Sequence, residues 1–226
     1  MMLTKKLSQF YSNSEENKEK LTKRLKRRRA KRKRLGRILG ILLILAGLGL
    51  ILYPFSTSLL NLRTQAKLEK EWKKIKSEAV ENRSPSVQKK SLEAKPLGAP
   101  AVKIIIPKIN LEAIVVEGAD RNSLKKGPGH VKSSAYPGEK GYCIIAGHRS
   151  TYGAPFFRIH HLQKGDEIFI ETPSSKFTYI VEKVFSTRPY DLSFMKPIDE
   201  AVLILSACTP IHSAARRLVV LAKLAT

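Results

Sequence analysis

Three residues far apart in the chain carry side chains suited to acyl transfer. The run Ala201 to Leu205, continued by Ser206 and Ala207, puts Cys208 at the end of an apolar segment, just before Thr209 and Pro210. Proline cannot donate to a sheet ladder, so a strand is expected to stop there. The segment Ile144, Ile145, Ala146, Gly147 puts His148 just past a second apolar run, with Gly147 permitting a sharp turn. Arg216 and Arg217 open a third run, Leu218 to Val220. A thiol, an imidazole and a guanidinium are together a nucleophile, its acid and base, and a cation that keeps its charge at any working pH. Strand ends hold side chains rigidly, and three of them can converge. Taken singly, a cysteine is equally at home as a small buried hydrophobe and a histidine as a structural residue, so chemistry alone leaves both readings open.

The elements that must position these groups follow from the pattern after Ala101. Short β-branched runs are read as strands at Val102 to Ile106, Ala113 to Val116, Gly141 to Ala146, Glu167 to Glu171, Phe177 to Phe185, Ala201 to Leu205 and Leu218 to Ala222. Pro107, Gly127 to Gly129, Pro137 with Gly138, and Gly165 with Asp166 punctuate them. Only Asn122 to Lys126 and Pro155 to Leu162 read as short helical turns, and helices long enough for repeated parallel crossovers are missing. The fold class expected is all-β, a closed or nearly closed barrel. No metal-ligand spacing is present, and no metal or cofactor is expected.

Charge and hydropathy describe the front of the chain. The formal charge of +23 is uneven: residues 1–100 hold 25 Lys and Arg against 8 Asp and Glu, and residues 101–226 hold 17 against 11. From Lys18 to Arg37 there are 13 Lys and Arg opposed only by Glu19, after which Ile38 to Phe55 runs 18 residues without a charge. Eighteen helical residues nearly cross a hydrocarbon core of about 30 Å, and Ser56 to Leu60 can extend the span. Basic residues before a span keep the N-terminus cytoplasmic. We therefore read residues 1–37 as a basic cytoplasmic tail, 38–58 as a retained single-pass anchor in the cell membrane, 59–100 as a juxtamembrane helix and Pro-containing linker, and 101–226 as an extracellular catalytic domain. The basic cluster ends at the span, where lipid phosphates already lie, and lacks interleaved aromatics, so no nucleic acid is expected as a partner. Cys143 and Cys208 are too few for a disulfide scaffold, and Cys143, inside an apolar run, reads as core.

From Ile105 to Leu221 the local words resemble the sortase family. They are Ile106 to Leu111 with Val115 to Gly118, Gly127 to His130, Pro137 to Gly141, Ala146 to Phe156, Leu162 to Asp166, Cys208 to Pro210, and Arg217 to Val220. The resemblance implies a barrel of about eight strands with short helices behind an N-terminal transmembrane helix. It implies that Cys208 is the nucleophile, His148 the acid and base, and Arg217 the arginine. His130, Thr209 and Ala207 are expected as substrate contacts. Between the two arginines, adjacent strand residues face opposite sides, and the family's Arg-Leu-Val word selects Arg217. The substrate implied is a sorting peptide of Leu-Pro-x-Thr-Gly type, cut between Thr and Gly and transferred to an amine such as that of a peptidoglycan precursor.

The chain departs from the family where a threonine usually precedes the cysteine: that place is Ala207, and Ile204 replaces a second common threonine. A scaffold that has lost activity and an L,D-type transpeptidase are the rival readings. The latter family carries His and Gly close before its cysteine, where this chain has Ser206 and Ala207. The word around His148 is most like that of the class found in high-GC bacteria, or the related class D. No Asp-Pro-aromatic lid precedes the domain and no second span follows it, which points away from a pilin polymerase. His130 follows a glycine turn and is read as a structural or substrate-contact residue that can line the cleft near His148, rather than a catalytic one, and His160, His161 and His212 are expected to be loop residues. Trp72 is expected to lie against lipid headgroups or the domain.

Overall fold

The computed structural model describes residues 2–81 and 96–225 and divides into two compact units, Met1–Tyr53 and Pro54–Thr226. Helix α1 is Met2–Glu81. Within it Gly36–Tyr53, 18 residues of mean hydropathy 2.2, is long and apolar enough to cross a membrane. Its leucines and isoleucines are exposed all round, Leu43 at 66% and Ile44 at 70% for example. A helix apolar on every face needs an apolar surrounding, which a bilayer supplies.

In the second unit eight strands close into a barrel. They are β1 (Pro100–Ile106), β2 (Leu111–Glu117), β3 (Gly129–His130), β4 (Gly141–Gly147), β5 (Glu167–Glu171), β6 (Lys176–Thr187), β7 (Ala201–Thr209) and β8 (Arg216–Leu224). Their order around the barrel is β1-β2-β3-β4-β7-β8-β6-β5. The β2–β3 and β4–β7 pairs are parallel and the others antiparallel. Closure removes the free edges an open sheet would expose. Seven of the strands coincide with apolar runs of the sequence. The eighth, β3, is two residues long and carries no periodic signal.

Side chains alternate between the inside and outside of the barrel. Val102, Ile104, Ile106, Val115, Ile145, Leu203, Leu205, Leu218 and Val220 fill the interior with Cys143 and Phe156. The outer faces of two regions are also covered, which explains why their apolar runs are continuous rather than alternating. On β4, β7 and β8, Ile144, Val202, Ile204 and Val219 lie under Phe194, Met195 and Ile198 of the segment joining β6 to β7. On β2, Ile114 and Val116 lie under Leu68 and Trp72 of α1.

The second cover ties α1 to the barrel. Trp72 is 1% exposed, so it is buried against the domain. Around it, Gln65 accepts from Ile114 N at 2.9 Å and donates to Lys126 O at 2.7 Å. Lys103 joins Glu69 at 3.1 Å and Glu112 at 2.6 Å, and Lys76 reaches Glu171 at 3.2 Å. The apolar contact dominates here, because surface ion pairs of this kind contribute about 0 to 1 kcal/mol each while truncating a buried Trp costs about 3 to 5 kcal/mol. Trp72→Ala is therefore expected to lower the stability of the barrel by about 3 kcal/mol or more, read from the urea midpoint of the full chain in detergent. An unchanged midpoint would contradict the packing.

Candidate active site

The barrel places the three chemical groups by register. Strand β7 has β4 on one side and β8 on the other. In the parallel β4–β7 ladder Gly147 pairs with Ala207, so His148, the next residue, comes level with Cys208. In the β7–β8 ladder Cys208 pairs directly with Arg217. Adjacent strands lie about 4.8 Å apart, so the backbone of each partner is one strand spacing from that of the cysteine. Parity fixes the face. Ala207, Leu205 and Leu218 point into the core, so Cys208, His148 and Arg217 point outward, on the same side as Ile144, Ile204 and Val219. The three residues thus stand in a row at one end of these strands on their outer face, and the apolar residues next to them on that face are packed beneath the segment joining β6 to β7.

The loop after β4 is shaped around His148. Gly147 is required because a Cβ there would come within 2.5 Å of the Phe156 ring, which is fully buried. Phe156 N donates to His148 O at 3.0 Å and closes the loop. The imidazole lies against Tyr152, with ring centroids 5.1 Å apart and planes at 44°. Nε2 of His148 is, among the described residues, the one buried side-chain nitrogen or oxygen without a hydrogen-bond partner. Buried polar atoms are almost always paired, so an unpaired one at the end of a strand marks His148 as a candidate for chemistry. Burial also holds the imidazole below its ordinary value, since desolvation disfavours the charged ring.

Arg149 was not singled out from the sequence. It is 7% exposed, donates from Nη1 to Thr209 Oγ1 at 2.9 Å and from Nε to Phe157 O at 3.4 Å, and has no carboxylate within ion-pair distance among the described residues. It ties the histidine loop to the cysteine strand and sets a positive charge behind Thr209, of the sign that stabilises developing negative charge. Its only sequence signal is its place next to His148. Charged residues are seldom buried, so composition argues against the position it takes. Arg217 donates to Ala214 O at 3.2 Å and Arg216 O at 3.3 Å, which braces the turn between β7 and β8. Arg216 instead pairs by register with Thr209 and donates to Ser186 O at 3.0 Å.

Two expected substrate contacts lie elsewhere. His130 is 1% exposed inside the barrel and does not line the cleft. Its Nδ1 lies 3.2 Å from Glu117 Oε1, and Tyr136 donates to the same carboxylate at 2.9 Å. Nε2 of His130 lies 3.1 Å from Ala135 O and 3.2 Å from Ser134 Oγ. Both ring nitrogens are committed, and the residue is a structural clamp. Ala207 is 3% exposed with its methyl in the core, because it alternates with Cys208 along the strand. Thr209 is half-buried and its hydroxyl is held by Arg149. Cys143 is a free, buried thiol whose ionisation burial pushes far up, whereas Cys208 is free and half-buried. The described residues contain no group of three or more His, Cys, Asp or Glu placed to hold a metal ion.

Comparison with known proteins places this arrangement. A sequence model of the sortase domain matches residues 104–225. Sortase D of Bacillus subtilis is 37% identical over 125 residues, which cover 54% of this chain and 62% of that protein. A sortase D5 transpeptidase of Clostridium perfringens superposes with a TM-score of 0.60 at 31% identity, covering 76% of this chain and 99% of the other. Sortase E of Streptomyces avermitilis superposes with a TM-score of 0.53 at 31% identity, covering 58% and 91%.

The depressed imidazole has a signed consequence. The unfolded chain keeps a histidine value of about 6.5, so acidification protonates it first, and the stability of the fold falls as pH drops from about 6.5 through the lower folded value. The His148 ring resonance, assigned by its loss in His148→Gln, is expected to titrate in NMR with a midpoint below about 6.5. A midpoint at or above that value would contradict the buried, unpartnered ring.

Proposed function

The chain belongs to the sortase family, and on that premise we propose that it is an active cysteine transpeptidase with Cys208 as nucleophile, His148 as acid and base, and Arg217 as the cationic donor. The observation that carries this reading is the register that puts Cys208 between His148 and Arg217 on one outward face. We further propose that the apolar helix anchors it in the cell membrane with the N-terminus cytoplasmic and the barrel outside.

In the proposed reaction an extended peptide of Leu-Pro-x-Thr-Gly type lies across the end of β7 beside Cys208. Cys208 Sγ attacks the threonine carbonyl, His148 as imidazolium protonates the departing glycine amine, and a thioester to Cys208 remains. An amine then attacks the thioester, neutral His148 takes its proton, and the thiol leaves as the new amide forms. The free Nε2 suits both transfers. Its desolvation favours the neutral ring, so the base step finds its form ready and the acid step relies on the scarcer imidazolium. Arg217 stabilises the tetrahedral oxyanion or holds a peptide carbonyl. The acceptor is an amine of the cell wall or of a surface protein, and the matches to sortases D and E support a subclass of that kind.

Two substitutions test the roles against a fluorogenic sorting peptide. Cys208→Ala is expected to abolish cleavage and the thioacyl mass, and Arg217→Ala to lower kcat/KM by about 10² to 10³ with the melting temperature retained, the size expected for loss of an oxyanion donor. Cleavage by Cys208→Ala would remove the proposed nucleophile.

A further inference from the structure

We propose that a pocket beside the histidine loop selects acceptor amines that carry a neighbouring carboxylate, with Arg158 as the specificity-determining group. This inference rests on the transpeptidase reading and names its second substrate. The pocket holds about 480 Å³, and Asn110, Ser150, Pro155, Phe157, Arg158 and His212 are among its walls. β1, β4 and β7 end, and β2 begins, at the same end of the barrel, so the β1–β2 turn, the histidine loop and the cysteine loop form one rim.

Its position relative to the chemistry identifies the occupant. The outer faces of β4, β7 and β8 lie under the segment joining β6 to β7, and that is the side of Cys208 on which the sorting peptide is proposed to lie. The pocket takes its walls from the loop that follows His148 and from the β1–β2 turn, with His212, four residues after Cys208, facing them. An incoming amine must give its proton to His148. It therefore approaches the thioester from the histidine side, past this pocket.

The chemistry of the walls then restricts that amine. No Asp or Glu lines the pocket, and Arg158 is exposed with no carboxylate within ion-pair distance among the described residues. Arg149 lies close behind, bonded to Phe157 O, and the neighbouring His161 and Arg149 help burial hold His160 below its ordinary value. Such a rim repels a bare ammonium ion. An acceptor with a carboxylate beside its amine meets the guanidinium instead, and the same field favours the free amine that attacks. Ile109, Leu111 and Phe157 offer apolar surface to its carbon chain. Three of the five non-glycine residues with left-handed backbone among the described residues, Asn110 at φ 51°, Ala154 at 44° and His212 at 64°, line this pocket, and strained backbone of this kind collects at binding sites.

The test compares glycine with glycinamide as acceptors, using the full chain in detergent and a sorting peptide. The thioacyl mass is first read without acceptor, and its absence would end the transpeptidase reading itself. The ratio of acceptor kcat/KM values, carboxylate over amide, is then measured for the native chain, Arg158→Gln and Arg158→Lys. The intrinsic basicities of the two amines cancel when the ratio is compared between variants. Arg158→Gln is expected to lower the ratio about tenfold, about 1.4 kcal/mol at 25 °C, while Arg158→Lys keeps most of it. Equal ratios in the native chain and Arg158→Gln overturn the proposal.

Discussion

The in-register parallel pairing of β4 with β7 is the constraint on which the site depends. Seven consecutive pairs, from Gly141 with Ala201 to Gly147 with Ala207, bring two strands some sixty residues apart in sequence to the same height. A slip of one residue would turn either His148 or Cys208 into the core, because side chains alternate with a period of two. The slip is opposed from both faces. Leu203, Leu205 and Ala207 are packed inside, and Val202 and Ile204 are covered outside. The register that aligns Cys208 with His148 and Arg217 is thus held by apolar burial along the whole strand, and these three side chains themselves contribute little to it.

The same logic explains how polar groups are distributed. The interior of the barrel accommodates His130, Glu117 and Tyr136 because they satisfy one another. At the rim Arg149 joins the loop after β4 to the end of β7 through Thr209, while His148 is left with a free ring nitrogen. A satisfied histidine and an unsatisfied one, both largely enclosed, are therefore assigned opposite duties by their partners alone. Helix α1 adds a second brace, since Trp72 and Leu68 cover β2 and Asn61 lies against Gly153 of the histidine loop.

Much of this was legible in the sequence, and the exceptions have physical causes. The runs Val102 to Ile106 and Ala201 to Leu205 declare strands through β-branched residues, and the words around His148 and Cys208 declare a family. Strand β3 was invisible, because Gly129 and His130 pair only through tertiary context. The docking face of α1 was faint, since Leu68 and Trp72 are two apolar residues among many charges. Its clue lay in the partner strand: Ala113 to Val116 is apolar without alternation, which requires something on the outer face. His130 was left between a structural and a substrate-contact role because a glycine turn says nothing about which side of a barrel the ring enters; its burial decides for the first. Arg149 was passed over because a buried guanidinium is rare and only its partners reveal it.

The account stands on the imidazole of His148 lying beside the sulfur of Cys208. The most direct measurement is the rate of Cys208 alkylation by iodoacetamide as a function of pH, followed by peptide mass in the native chain and in His148→Ala. Cys143 is fully buried and does not compete. If the ring neighbours the thiol, its removal changes the shape of the profile and slows alkylation on the acid side, where imidazolium supports the thiolate. Superimposable profiles would contradict the arrangement.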